Sequence, residues 1–237
     1  MIEIEGVNKY YGDHHVLKDI SFSVRKGEIV AMMGANGAGK STLFDIIATL
    51  DDDFTGKVTI GGLDVRKDIR QIRRNLGYVP GKFSLYNDLT LTENLDFFAS
   101  AYGASAENIR DISPYLWKSL EPFADKRAGT LSGGMKQKLA ICCAMVHNQS
   151  VLLLDEPTVG VDPASRKDMW KELVTLADNG VTVFMSTHYP DEAMGSDRIL
   201  FIHEGRKVIY DFPIKVKGPY RTLEDSFVEM LTARKSE

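Results

Sequence analysis

Cysteine is nearly absent from this 237-residue chain, with Cys142 and Cys143 the only two. Side by side on a helix they point different ways, and they lack the spacing of a metal-ligand set. Two reduced thiols in a core is the reading that fits. Positive charge is not in excess either. The net charge is −4, which argues against a nucleic-acid binder held by bulk charge, although a local basic patch stays open. No apolar run reaches the roughly 20 residues that a membrane span needs. Met1-Ile2-Glu3-Ile4-Glu5 lacks the basic start and apolar core of a signal sequence. Internal repeats, linkers and low-complexity stretches are missing as well. These absences predict a cytoplasmic protein that works at a membrane only through a partner. The length suffices for one sizeable core, or for one domain with an inserted lobe.

What is present is organised around Gly34-Ala35-Asn36-Gly37-Ala38-Gly39-Lys40-Ser41. This G-x-x-x-x-G-K-S loop follows an apolar run, Ile29–Met33, that reads as a buried strand. It precedes a predicted helix over Thr42–Thr49, and strand–loop–helix is the context that this motif requires. Glycines let the backbone turn its N–H groups inward onto phosphate oxygens, and the helix N-terminus adds partial positive charge there. Lys40 is expected to reach the β- and γ-phosphates and the Ser41 hydroxyl to ligate Mg²⁺, with Thr42 completing the nucleotide-binding segment. The loop indicates a nucleoside triphosphate but not its use.

Upstream, Ile2, Ile4 and, after a break, Val7 predict a short first strand. Ile20, Phe22 and Val24 alternate with polar residues as a half-buried antiparallel strand. Tyr10-Tyr11-Gly12-Asp13 reads as the turn between them, and Val58-Thr59-Ile60 as another small strand. Thr90-Leu91-Thr92-Glu93 fits a capping box that opens a helix with Leu95, Phe98 and Ala99 on one face. Helices are also predicted over Pro114–Phe123 and Gly133–His147. Together these form a helical insertion over 83–150, entered through Gly77-Tyr78-Val79-Pro80-Gly81. Parallel-sheet character returns with Val151–Leu154, apolar throughout as expected of a strand covered on both faces. A helix over Pro163–Leu176 and a strand over Val181–Met185 follow. Ile199–His203 and Lys207–Tyr210 flank a hairpin turn. Leu223, Phe227, Met230 and Leu231 mark a short amphipathic helix in a C-terminal tail, 212–237, expected to pack on its own domain rather than on a partner.

In α/β sheets, ligands bind at the carboxyl ends of parallel strands. One predicted strand ends in the phosphate loop, a second in Asp155 and Glu156, a third in His188. Asp155 is expected to hold Mg²⁺ opposite Ser41. Glu156 is placed to orient and polarise a water, and His188 to hydrogen-bond the γ-phosphate or steady that water. The plain alternatives are a helix cap for the acidic pair and a structural role for the histidine. A second anion grip lies at Leu131-Ser132-Gly133-Gly134-Met135-Lys136-Gln137, a serine and two glycines opening a helix. One chain rarely needs two grips on one γ-phosphate, so this one is expected to serve a nucleotide on another subunit.

Leu-Ser-Gly-Gly, with the phosphate loop upstream and Leu-Leu-Leu-Asp-Glu-Pro downstream, resembles the ATP-binding subunit of an ABC transporter over nearly the whole chain. The resemblance implies a single α/β domain over 1–237: a P-loop NTPase core with a mainly parallel sheet, an antiparallel β subdomain and an inserted helical subdomain. It implies a Mg²⁺-dependent ATPase with Lys40, Glu156 and His188 in catalysis and Ser41 and Asp155 on the metal. Asp162 in Gly160-Val161-Asp162-Pro163 resembles the family's D-loop. Tyr11 resembles the aromatic that stacks on adenine, with Tyr10 a rival or a core residue. The resemblance implies a head-to-tail dimer with two ATPs sandwiched between subunits, in which Ser132 and Gly134 of one would clamp the γ-phosphate held by Lys40 of the other, with Gly133 in the same nucleotide-binding segment. The implied partners are that second subunit, in a homo- or heterodimer, and transmembrane permease subunits, with no nucleic acid. The implied location is peripheral, on the cytoplasmic face of the membrane. The segment Phe83–Thr90 and the tail Leu223–Phe227 resemble the exporter branch, including drug and lipid exporters. A soluble ABC-type ATPase is the rival class. One departure stands out: the family usually has glutamine after Gly-Tyr-Val-Pro, where this chain has Gly81. The expectation is weakened hydrolysis or coupling, a Mg²⁺ shell completed by water, or a low-turnover regulatory subunit.

Overall fold

The computed structural model describes residues 1–81 and 85–235. Phe83 and Ser84, with which the expected insertion and the exporter-like segment begin, lie outside those residues, as do 236 and 237 of the tail. The chain opens with an antiparallel pair, β1 (Ile2–Tyr11) and β2 (His14–Val24). Then come β3 (Ile29–Met33), α1 (Lys40–Ile47), β4 (Thr55–Ile60), β5 (Leu63–Asp64), α2 (Ile69–Arg74) and β6 (Leu76–Val79). A helical stretch follows with α3 (Leu91–Ala101), α4 (Ile109–Ile112), α5 (Pro114–Leu120) and α6 (Gly133–Met145). The remainder is β7 (Val151–Leu154), α7 (Pro163–Asp178), β8 (Thr182–Ser186), α8 (Pro190–Gly195), β9 (Arg198–His203), β10 (Arg206–Asp211), α9 (Pro213–Lys217) and α10 (Leu223–Lys235). Among the described residues no helix is long and apolar enough to cross a membrane.

Two sheets form. An antiparallel sheet runs β2-β1-β4-β5, and a six-stranded sheet runs β10-β9-β3-β8-β7-β6. In the second sheet only β10 is antiparallel to its neighbour. The apolar run of β7 explains itself in this setting. Val151 and Leu153 enter a core shared with α1 and the antiparallel sheet, while Leu152 and Leu154 enter a second core with α6 and α7. In β8, Phe184 faces the first core, and Val183 and Met185 face the second. Both cysteines are buried in that second core, where burial pushes both thiols up from their ordinary pKa. Leu223 and Phe227 of α10 are buried against Phe201, whose ring stacks on Phe227 at 3.9 Å. The C-terminal helix thus packs on its own domain.

Several elements differ from the sequence expectation. The first strand is not short, because its ladder with β2 continues to Tyr11 opposite His14, leaving only Gly12-Asp13 as the turn. A register shift between Ile4 and Val7, with Gly6 at φ 58, puts Val7 out of phase with Ile2 and Ile4, and this broke the period-of-two pattern. The sequence marks Gly77–Gly81 only as the entrance to the insertion, whereas Leu76–Val79 is a strand. Its Gly77 is required because a Cβ there would lie 2.5 Å from the Ala144 carbonyl oxygen of α6. The helices α2, α4, α8 and α9 and the two-residue β5 carry too few periods to be read from pattern alone.

The capping box opens α3 as expected. The Glu93 N–H donates to Thr90 Oγ1 at 3.1 Å, and the Thr90 N–H donates to Glu93 Oε2 at 2.7 Å. Thr90→Ala is expected to cost about 1 kcal/mol, seen as a lowered urea midpoint with an unchanged slope.

Candidate active site

The strand order explains why distant residues converge. β3, β8 and β7 are neighbouring parallel strands, so the segments leaving their carboxyl ends meet at one end of the sheet. The loop after β3 wraps into α1 through Gly39, whose φ of 100° is left-handed and whose Cβ would lie 2.7 Å from Leu17 Cδ2. The helix begins at Lys40, two residues earlier than the sequence pattern indicated. Lys40 is 6% exposed, and its Nζ donates to the Gly34 carbonyl at 2.8 Å and the Ala35 carbonyl at 3.3 Å. Burial lowers its pKa, against the attraction of Glu156 and Asp155. An approaching phosphate would reverse that cost by supplying negative charge.

Asp155 is buried and bridged on both oxygens. Ser41 Oγ donates to Oδ2 at 2.7 Å, and Ser186 Oγ donates to Oδ1 at 2.6 Å. The Glu156 N–H donates to the same Ser186 hydroxyl at 2.8 Å. Glu156 has φ 53°, a left-handed conformation that a side-chain-bearing residue adopts at a cost of about 1–3 kcal/mol. Glu156 Oε1 lies 2.7 Å from His188 Nε2 and 3.8 Å from Lys40 Nζ. Lys40, Glu156 and His188 are thereby brought together.

A cavity of about 330 Å³ opens here, lined by Tyr11, His14, Val16, Asn36, Gly37, Gly39, Lys40, Ser41, Thr42 and Glu156. Tyr11 is half exposed, with its hydroxyl donating to Asp51 Oδ2 at 3.1 Å and Lys9 Nζ 4.7 Å from its ring centre. Tyr10 is not a core residue: it is 49% exposed and stacks on His15 at 4.0 Å. Successive strand residues face opposite sides, and only Tyr11 of the two lines this cavity. A second cavity, about 380 Å³, shares Ser41 and Glu156 and is also lined by Asp45, Tyr78, Pro80, Gly81 and Asp155.

Ser132, Gly133 and Gly134 line neither cavity. Ser132 and Gly133 are exposed at the start of α6, where Ser132 caps by accepting the Met135 N–H at 3.3 Å. They sit beside the loop before α7. A Cβ on Gly133 would lie 3.5 Å from the Gly160 carbonyl oxygen, and one on Gly134 would lie 3.3 Å from Ser165 Oγ. Asp162 caps α7, accepting the Ser165 N–H at 2.9 Å, and its hydrogen bonds from Ser165 lower its pKa. The chain therefore presents two separate surfaces, one around Lys40 and one joining Ser132–Gly134 to Asp162.

A sequence profile described as "ABC transporter" matches residues 17–159, from within β2 to just past Asp155 and Glu156. The chain belongs to the ABC transporter family. Among ABC relatives, "Probable multidrug ABC transporter ATP-binding protein YbhF" of Escherichia coli (strain K12) is 35% identical over an alignment of 242 positions, gaps included, that covers 98% of this chain and 42% of that protein. This chain thus spans about two-fifths of that relative's length. "Nod factor export ATP-binding protein I" of Burkholderia orbicola (strain AU 1054) is 40% identical over 215 residues, 90% of this chain and 71% of that protein. The ABC fold is matched by a solved dimeric structure, a post-hydrolysis state of the ATP-binding cassette MJ0796 bound to ADP and Pi. Its TM-score is 0.80 at 29% identity, covering 90% of this chain and 99% of that one.

Sequence reasoning missed Ser186 as a site residue. Its signal was a hydroxyl at the carboxyl end of a strand that pairs between two site-bearing strands. It also missed Asp45 and Tyr78, because only the closing of α1 onto β6 puts them at a cavity with Asp155.

Proposed function

We propose that this chain is a Mg²⁺-dependent ATP-hydrolysing subunit that powers transport, in the export direction, through separate membrane-spanning partners. One observation carries the reading: the Glu156 carboxylate is held between Lys40 and His188, beside the Ser41–Asp155 pair, at the mouth of the phosphate loop. Loop N–H groups and Lys40 bind the β- and γ-phosphates. Glu156 orients a water for attack on the γ-phosphorus and takes its proton. His188 holds the Glu156 carboxylate at the angle that this requires. Tyr11 offers a face for adenine stacking at the cavity rim.

Ser41 and Asp155 fit Mg²⁺, since both offer hard oxygen atoms, already 2.7 Å apart and next to the phosphate cradle. When bound, the ion supplies positive charge against the phosphates during cleavage. The γ-phosphate is completed by Ser132, Gly133 and Gly134 of a partner subunit, with Asp162 at the same interface. Similarity to a Nod factor export ATP-binding protein supports the export direction. The proposed location is the cytoplasmic face of a membrane. Purification of the chain from its native membranes in mild detergent is the test. A multi-span protein retained across detergents is the expected result, and only soluble partners would overturn it in favour of a soluble ABC-type ATPase.

Gly81 supports a reading of reduced turnover. A Cβ there would lie 3.6 Å from Asp155 Oδ2, so a longer side chain would reach the proposed metal site from the side of the second cavity. Glycine leaves that side without an amide oxygen. Gly81→Gln is expected to raise Mg²⁺ affinity roughly tenfold, with a faster kcat. Equal Mg²⁺ affinity and equal turnover in the two proteins would remove Gly81 from the account.

A further inference from the structure

The acidic residue that ties the loops of the site together is in none of the motifs. Glu192 lies in α8 and is 5% exposed. Its Oε2 accepts the hydroxyl of Thr158 at 3.1 Å and that of Thr187. Thr187 immediately precedes His188, and the same Thr187 hydroxyl accepts the Tyr189 N–H at 3.0 Å, bracketing the histidine on both sides. Thr158 lies between Glu156 and Asp162, and its carbonyl accepts the Val161 N–H at 3.2 Å. The other carboxylate oxygen, Oε1, lies 4.0 Å from Arg166 Nη1. Arg166 stands in the first turn of α7, its N–H donating to the Asp162 carbonyl at 2.9 Å, and its guanidinium covers the Tyr189 ring at 3.8 Å.

We propose that Glu192 is a positioning residue that locks the His188 loop to the Asp162 loop, so that the catalytic side and the partner-facing side of the site move as one. This rests on the roles proposed above for His188 and Asp162. A carboxylate suits the place better than an amide. Two hydroxyls need an acceptor, and Arg166, 4.0 Å away without a hydrogen bond, favours the charged form that burial opposes. Thr158 and Thr187 are themselves 2% and 1% exposed, so neither hydroxyl can turn to bulk water instead. A shift of the Asp162 loop on meeting a second subunit would pull Thr158 and Arg166, and through Glu192 would carry Thr187 and His188 with them.

The test uses the full-length chain. Glu192→Gln preserves volume while removing the charge. It is expected to lower kcat about tenfold with KM for ATP little changed, because His188 is displaced rather than the phosphate cradle. In a His188→Ala background the same substitution should cost less than about twofold, since the two act through one group. A general loss of packing would instead cost the same in both backgrounds, and that result, or an unchanged kcat in Glu192→Gln, overturns the proposal. Hydrogen exchange provides a readout without turnover. On adding ATP, protection in 158–162 and 187–189 should change together in the wild type and separately in Glu192→Gln. Independent change in the wild type would also overturn it. A wild type that binds ATP without hydrolysing it counts against the ATPase reading alone, because the exchange measurement still decides the coupling.

Discussion

Glu156→Gln is expected to lower ATP hydrolysis by on the order of 10²-fold or more while ATP binding stays near the wild-type value. The substitution keeps the size of the side chain and leaves the amide oxygen to meet His188 Nε2, which lies 2.7 Å from Oε1. What it removes is the basicity proposed above to take a proton from water. Lys40 loses the Glu156 charge 3.8 Å away but keeps its contacts with the carbonyls of Gly34 and Ala35, so the phosphate cradle keeps its shape. With binding intact and cleavage slow, the ATP-bound pair should accumulate and run as a dimer in size exclusion with ATP, and as a monomer without it. Single-turnover hydrolysis together with nucleotide-binding titration checks both halves. Turnover within about twofold of wild type would remove Glu156 from the role of general base.

Ser132→Arg should be almost as damaging, for a different reason. Ser132 is exposed at the head of a 13-residue helix and borders the Asp162 loop, away from the cavity around Lys40. If its surface completes a site on a second subunit, the substitution should leave ATP binding by the single chain intact and cut turnover by about 10²-fold or more, as removal of a preorganised phosphate donor does. Lys40→Met should be equally inactive because its own cradle is lost. A mixture of these two inactive proteins then makes the sharper prediction. In a head-to-tail pair, the Ser132→Arg chain contributes an intact cradle and the Lys40→Met chain an intact Ser132–Gly134. Each mixed dimer therefore contains one whole site. Random pairing in equal amounts should restore about a quarter of wild-type activity. No recovery, with both variants folded and exchanging subunits, would overturn the head-to-tail arrangement.

Much of this protein was fixed over short stretches of sequence. The phosphate loop, the capping box at Thr90, the polar residues that end β7 and β8, and the buried face of α10 all depend on neighbours within a few residues. Backbone sterics and local hydrogen bonding enforce such features wherever the segment sits. The mainly parallel sheet and the antiparallel layer were legible for the same reason, since burial on one face or on two leaves a different pattern along a strand. Tertiary structure alone decided the rest. Ser41 and Asp155 are 114 residues apart and meet at 2.7 Å only because β7 lies one strand beyond β8 in the sheet. Nothing local to Ser186 marks it as the hydroxyl shared by Asp155 and the Glu156 amide. Which of Tyr10 and Tyr11 lines the cavity depended on the ladder running to the end of β1. The separation of Ser132 from the Lys40 cavity likewise comes from how α6 and α7 pack together. Strand order and helix packing are settled by burial summed over the whole core, so the distances they set are absent from any single stretch of the chain.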